Sequence, residues 1–203
     1  MPLAVRLLGR AEYEPVWVAM KAFTARRDEG TADELWFVEH PPVFTLGLAA
    51  GPEHVLDAGD TPVVRTDRGG QVTYHGPGQL LAYVLLDLRR AGLGVKELVR
   101  RLEQSVIDLL RGYGIAGARR PGMPGVYVAG AKIAAVGLRI SRGCSYHGIA
   151  LNVDAGLEPF LRINPCGYPG LEATRLADLG VRDSMVSVRQ RWEAALLATL
   201  RSR

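Results

Sequence analysis

The sequence predicts an α/β (α+β) domain in which helices cover a sheet, and three stretches carry that prediction. Leu80 to Leu88 is apolar almost throughout, as a strand buried on both faces requires. Val95, Leu98, Val99, Leu102, Val106, Leu109, Leu110 and Tyr113 recur at helical spacing and stop before Gly114, so one amphipathic helix must lay its apolar stripe on the sheet. Gly125 to Val128, Ala131 to Ile140 and Tyr146 to Val153 are apolar runs separated by Ala129-Gly130 and Ser141-Arg142-Gly143-Cys144, the pattern of a three-stranded meander.

At 203 residues, 48% of them apolar and 23% charged, the chain is expected to form a single well-buried domain over 1–203. The run Leu3 to Leu8 is broken by Arg6, followed by Glu12 and too short to span a bilayer, which points to a cytosolic protein. The net charge of +4 comes mostly from scattered arginine, with pairs at Arg26-Arg27, Arg89-Arg90, Arg100-Arg101 and Arg119-Arg120. A nucleic-acid footprint is more clustered than this, so an acidic protein partner fits the charge at least as well. Cys144 and Cys166 are too few for a disulfide framework and lack metal spacing, leaving each as a buried small hydrophobe or a reactive thiol.

The elements follow in order. Tyr13, Val16, Trp17, Met20 and Phe23 give an amphipathic helix from about Ala11 to Arg27. Glu34 to His40 and Val43 to Leu46 read as strands around the Pro41-Pro42 break, and Gly47 to Asp57 as a loop with one helical turn. His40 and His54 read as surface or cap residues. Arg119 to Gly125, with two prolines and two glycines, reads as a connecting loop. Beyond Asp154 come a short helical segment around Glu158 to Leu161, another short segment from Thr174 to Leu179, and a last helix from about Ser187, where Ser187 and Gln190 resemble a capping box.

Arg68-Gly69-Gly70-Gln71-Val72-Thr73-Tyr74-His75-Gly76-Pro77-Gly78-Gln79 interrupts this pattern between the apolar runs Pro62 to Val64 and Leu80 to Leu88. A glycine loop lets backbone N–H groups approach a ligand closely. It also serves as a long hairpin connection, but Arg68, Tyr74 and His75 are costly to hold in a mere turn, and a polar substrate would use all three. Neither nucleotide-binding glycine fingerprint matches.

The meander predicts its own register. A turn centred between Arg142 and Gly143 places Ala135 opposite Ala150 and Gly137 opposite Gly148, four small residues that form a shallow trough, with Val136, Leu138, Ile149 and Leu151 on the other face. Such a trough holds a ligand or lets another element pack closely. Cys166 stands in Asn164-Pro165-Cys166-Gly167-Tyr168-Pro169-Gly170, a fixed, accessible loop setting rather than a core, whereas Cys144 falls at a turn. A reactive thiol needs a nearby cation to lower its pKa. Of the three lysines, Lys21 and Lys96 have plain solvent-facing places on helices, while Lys132 sits among small and apolar residues where an ammonium needs either a partner or a route to water at the strand end.

Five segments together carry a resemblance: His40 to Gly47, Arg68 to Gln79, Lys132 to Ile140, His147 to Val153 and Asn164 to Gly167. In this order they resemble the bacterial lipoyl(octanoyl) transferases, with minor variation such as Tyr127 where that family often has tryptophan. The resemblance implies a mixed sheet with packed helices, like the biotin and lipoate protein ligases. It implies octanoyl transfer from the phosphopantetheine thioester of acyl carrier protein to a lysine of a lipoyl domain, in 2-oxoacid dehydrogenase complexes or the glycine cleavage H protein, with no cofactor, metal, nucleic acid or membrane. Carried over, Cys166 is the acylated nucleophile, and Lys132 depresses its pKa, with proton relay to the leaving thiol as a second role. The acyl-binding segments fall on Arg68, Gly69, Gly70, Gln71, Val72, Thr73, Tyr74 and His75, on Ala135, Val136 and Gly137, and on Gly148, Ile149 and Ala150. Strict alternation puts Lys132 on the face opposite Ala135 and Gly137, so this site demands a bulge near Gly130 or an approach from the other side. An ATP-dependent lipoate ligase and a basic binding module are the competing classes. The first has no use for Cys166, and the second none for Lys132 with Cys166.

Overall fold

The computed structural model describes residues 3–164 and 170–201. The elements run β1 (Leu3–Arg10), α1 (Tyr13–Arg26), β2 (Asp33–Glu39), β3 (Val43–Leu46), β4 (Val63–Arg65), β5 (Val72–His75), β6 (Gln79–Leu85), α2 (Leu88–Ala91) and α3 (Val95–Gly112). They continue with β7 (Ala118–Arg120), β8 (Met123–Val128), β9 (Ala131–Ser141), β10 (Cys144–Asn152) and α4 (Met185–Arg201), with short 3-10 turns at Pro52–His54, Glu158–Arg162 and Leu176–Leu179. Two sheets result. The larger has the order β1-β2-β6-β10-β9-β8-β7, parallel only between β1 and β2, and the smaller has the order β4-β3-β5.

The large sheet is covered on both sides. Leu98, Leu102, Val106 and Leu110 of α3 join Val188, Trp192 and Leu196 of α4 over one face, in a cluster that includes Phe37, Val84, Ile149 and Leu151. Val16, Met20 and Phe23 of α1 cover the other face, against Trp36, Leu81, Tyr83 and Ala150. Burial on both faces is why β6 reads as an unbroken apolar run. The small sheet stands beside the α1 face with its own cluster of Phe44, Leu46, Val72, Tyr74 and Ile163.

The meander has the expected register: Ala135 faces Ala150 and Gly137 faces Gly148. Its turns explain this, because Arg142 (φ 51) and Gly143 (φ 82) are both left-handed, as a two-residue hairpin turn requires. Leu3–Arg10, to which the sequence reading assigned no element, forms an edge strand. Four expectations change. The supposed loop from Arg68 to Gln79 contains β5, because Val72 to His75 complete the ladder of β3. The loop from Arg119 to Gly125 is the tip of the β7–β8 hairpin, with Arg120 opposite Met123. The last helix starts at Met185, where the Ser184 hydroxyl accepts the Ser187 amide at 3.3 Å. His40 is fully buried rather than a surface or cap residue.

Candidate active site

A cavity of about 430 Å³ opens between the glycine loop and the β9–β10 pair. That volume lies in the range of small-molecule sites, roughly 300–1,000 Å³. Its wall brings together Arg68, Gly69, Gly70, Gln71, Val72, Thr73 and His75 with Lys132, Ala135, Val136, Gly137, Gly148, Ile149 and Ala150. Of the acyl-binding residues that the resemblance implied, only Tyr74 stays off the wall; it is buried in the small sheet's cluster against Phe44. Cys166 lies outside the described residues.

The glycine loop is stitched down where it begins. Arg68 donates through Nη2 to the Thr45 carbonyl at 2.6 Å and to its hydroxyl at 2.8 Å, while the Gly69 amide donates to the Leu138 carbonyl of β9 at 2.8 Å. The absence of a side chain at Gly137 leaves room for this close approach. A Cβ there would stand 3.1 Å from the Arg68 Cδ and 3.2 Å from the Gly69 oxygen. Close packing and ligand lining therefore coexist at this position, and the chain's own loop occupies part of the expected trough.

Lys132 reaches the cavity through a bulge. Val126 pairs with Ala134 and the next residue, Tyr127, with Lys132, so Ile133 is the extra residue of β9. Ile133 and Ala134 consequently share the α3 face, both in its core cluster, and Lys132 turns to the face of Ala135 and Gly137. The bulge resolves the conflict that strict alternation posed. The lysine stem is buried, and its Nζ lies 5.5 Å from the centre of the Tyr127 ring. It runs against Gly125, where a Cβ would stand 2.6 Å from the Lys132 Cε. The Gly125 amide is in turn held at 2.9 Å by Glu103, a buried carboxylate that also takes the Arg119 Nε at 2.9 Å. The Lys132 amide donates to the Glu172 carbonyl at 2.8 Å and the Thr174 amide to the Lys132 carbonyl at 2.9 Å. Phe160, Leu171, Glu172 and Ala173 all line the cavity, so the chain touches its wall shortly before and shortly after Cys166.

Polar residues that the sequence reading left out of the site join His75 in bracing the α1 side of the cavity. His75 Nδ1 bonds Gln79 Oε1 at 2.6 Å, and Gln79 Nε2 donates to Asn152 Oδ1 at 2.8 Å. His40 Nε2 meets the Tyr83 hydroxyl at 2.8 Å, and Tyr13 stacks on His75 with centroids 5.8 Å apart. Asp67 gathers the Trp17 indole at 2.8 Å, His147 Nε2 at 2.9 Å and the Tyr146 hydroxyl. Burial pushes Asp67 up, but these donors together outweigh it and hold the carboxyl well below its usual range. His147 had a sequence signal, a histidine inside an apolar strand. Asp67 had none, because its three donors come from α1 and β10.

Burial keeps His40 and His75 neutral. It drives His75 down to about 3 against a smaller opposing bond from Gln79, and His40 down to about 4. An unfolded histidine titrates near 6.5. Between these values the unfolded chain binds protons that the folded chain refuses, so stability is full above about pH 6.5 and falls as pH drops towards 4. The expected slope is roughly 1 kcal/mol per pH unit for each histidine. Urea midpoints at pH 7 and pH 5 measure it: the midpoint should fall at pH 5, and equal midpoints would mean that neither histidine is held neutral. Burial also pushes the Cys144 thiol up, which disfavours its thiolate.

This fold belongs to the class of lipoyl protein ligase A/B catalytic domains, whose family model matches residues 12–197. An octanoyltransferase of Alkalilimnicola ehrlichii is 65% identical over 88% of this chain and 83% of its own length. One from Azoarcus sp. is 60% identical over 98% and 88%, and one from Pseudomonas fluorescens 58% over 98% and 92%. The chain belongs to the octanoyltransferase family, a family of acyltransferases. Among solved structures, lipoate-protein ligase A bound with ATP aligns with a TM-score of 0.81 at 18% identity, covering 98% of this chain and 86% of that one. A biotin protein ligase from Aquifex aeolicus in complex with biotin and ATP aligns at 0.61 and 15%, covering 97% and 70%. At such identities these two show the shared fold alone.

Proposed function

We propose that this chain is one catalytic domain that moves an octanoyl group from acyl carrier protein to a lipoyl-domain lysine through a thioester on Cys166. The observation that carries this reading is Lys132: a buried lysine on the cavity wall, hydrogen-bonded through its backbone to Glu172 and Thr174, a few residues past Cys166. An ammonium there stabilises the thiolate, which attacks the donor thioester carbonyl; the acyl–sulfur bond to the carrier breaks, and the carrier thiol takes up a proton. Thioester exchange is nearly isoergonic and the later transfer to an amine is downhill, so neither step needs ATP. The apolar wall then favours the alkyl chain by about 0.8 kcal/mol per buried CH₂.

The donor's carrier protein is acidic, which suits the arginine-rich surface. Acceptors are lipoyl domains of 2-oxoacid dehydrogenase complexes and the glycine cleavage H protein. This chemistry belongs to the cytoplasm, and among the described residues no helix is long and apolar enough to cross a membrane. The test is transfer itself. The purified chain, given octanoyl carrier protein and a lipoyl domain without nucleotide, should yield octanoyl-lysine on the domain. A requirement for ATP with free octanoate would make it a ligase instead.

A further inference from the structure

Acyl transfer needs the Lys132 ammonium held in one place, and a flexible four-carbon stem does not fix its own head. Tyr127 stands directly opposite Lys132 in the β8–β9 ladder, so both side chains leave the sheet on the same face. Its ring is buried, 2% exposed, and its centre lies 5.5 Å from Lys132 Nζ, within reach of a cation–π contact. The ring is itself anchored, because the Tyr127 hydroxyl donates to the Met123 carbonyl at 3.2 Å, four residues back along β8. Gly125 lies between Met123 and Tyr127 and leaves room for the lysine stem, since a Cβ there would stand 2.6 Å from Lys132 Cε. Met123 and Lys132 line the cavity and Tyr127 does not, so the ring acts on the reaction only through Lys132.

Other charges surround this slot. Arg120, an exposed residue, places its Cζ 4.8 Å from the same ring centre. Salt and water screen an exposed guanidinium, whereas a cation–π contact strengthens as its cation is buried, so the ring serves Lys132 more than Arg120. Glu103 accepts the Gly125 amide and the Arg119 Nε, which fixes the floor under the lysine stem.

We infer that Tyr127 is a positioning residue for acyl transfer: the negative face of its ring holds the Lys132 ammonium, keeps it charged at the cavity wall and so maintains the thiolate of Cys166. The ring face carries this role and the hydroxyl only steadies the ring. Phenylalanine therefore keeps the function, while leucine, apolar but without a π face, loses it.

The inference rests on the reading of Cys166 and Lys132 as partners, and the experiment separates the two. The pH midpoint of alkylation by iodoacetamide is measured in a Cys144→Ser background, where Cys166 is the sole thiol, for the parent, Tyr127→Phe, Tyr127→Leu and Lys132→Ala. Tyr127→Phe should keep the parent midpoint. Tyr127→Leu should raise it by roughly 0.5–1 unit, a three- to tenfold loss of thiolate, and slow octanoyl transfer in proportion. A ring that only packs would leave the midpoint unmoved, whatever leucine costs in stability. A midpoint raised in Lys132→Ala but not in Tyr127→Leu overturns the inference alone. A midpoint unmoved in Lys132→Ala overturns the partnership, and the lysine signals then decide the inference. The chain has three lysines, so ε-¹³C-lysine labelling gives three signals, and the one lost in Lys132→Arg belongs to Lys132. Its ε-methylene protons should be shielded by the ring relative to those of the exposed Lys96, as those of Lys21 are by Trp17, whose ring centre lies 3.7 Å from Lys21 Nζ. The shielding is read first in the parent, which needs no change in the core, and should persist in Tyr127→Phe. A Lys132 signal coincident with that of Lys96 overturns the inference.

Discussion

Cys166→Ser is expected to lower octanoyl transfer by at least about a thousandfold, since removing a nucleophile abolishes the route and leaves only binding and positioning. The serine hydroxyl is far less acidic than a thiol, and a neighbouring cation cannot ionise it at neutral pH. Cys144→Ser should leave the rate close to the parent value. Burial disfavours the Cys144 thiolate, and that residue sits at the far end of the β9–β10 hairpin, paired with Ser141. Steady-state assays of the two variants with octanoyl carrier protein decide between the thiols, and a Cys166→Ser enzyme that kept a tenth of its activity would show that the chemistry does not pass through this residue.

Lys132→Ala should raise the pH midpoint of Cys166 alkylation by iodoacetamide towards about 8.5, the value of a free cysteine, and slow transfer by about 10²–10⁴-fold. The proposed mechanism expects this because a cation beside a thiol stabilises its thiolate, and removing the cation removes that stabilisation. Lys132→Arg separates charge from proton transfer, because arginine stays protonated. With a proton-relay role the arginine variant keeps the low alkylation midpoint but loses transfer to the amine. With a purely electrostatic role it keeps both, within what the wall at Gly125 allows a bulkier head. An alkylation midpoint unchanged in Lys132→Ala would show that the two residues are not partners.

What the sequence made legible follows from where local chemistry decides. The β9–β10 register could be read because Arg142-Gly143 forces a two-residue turn, and one turn fixes every pair above it, Ala135 with Ala150 and Gly137 with Gly148 included. Lys132 was legible as an ammonium among apolar neighbours, but its direction was not, since the bulge at Ile133 depends on the β8 strand it pairs with. β5 was hidden because glycines dominate its surroundings, and only the β3 ladder makes Val72 to His75 extended. His40 looked like a surface residue beside Pro41-Pro42, yet the Ala11 carbonyl and the Tyr83 hydroxyl, both remote in sequence, bury and bond it. Asp67 and Tyr13 belong to the same kind. Each has an ordinary local setting and acquires its role from residues that tertiary packing brings to it.

The intact mass of the protein after brief mixing with octanoyl carrier protein, without acceptor, bears most directly on acyl transfer through Cys166. The mechanism predicts a gain of one octanoyl group that hydroxylamine removes, that maps to Cys166 and that is absent from Cys166→Ser. Turnover with no adduct trapped at any time, or an adduct that persists in Cys166→Ser and maps to Cys144, would contradict it.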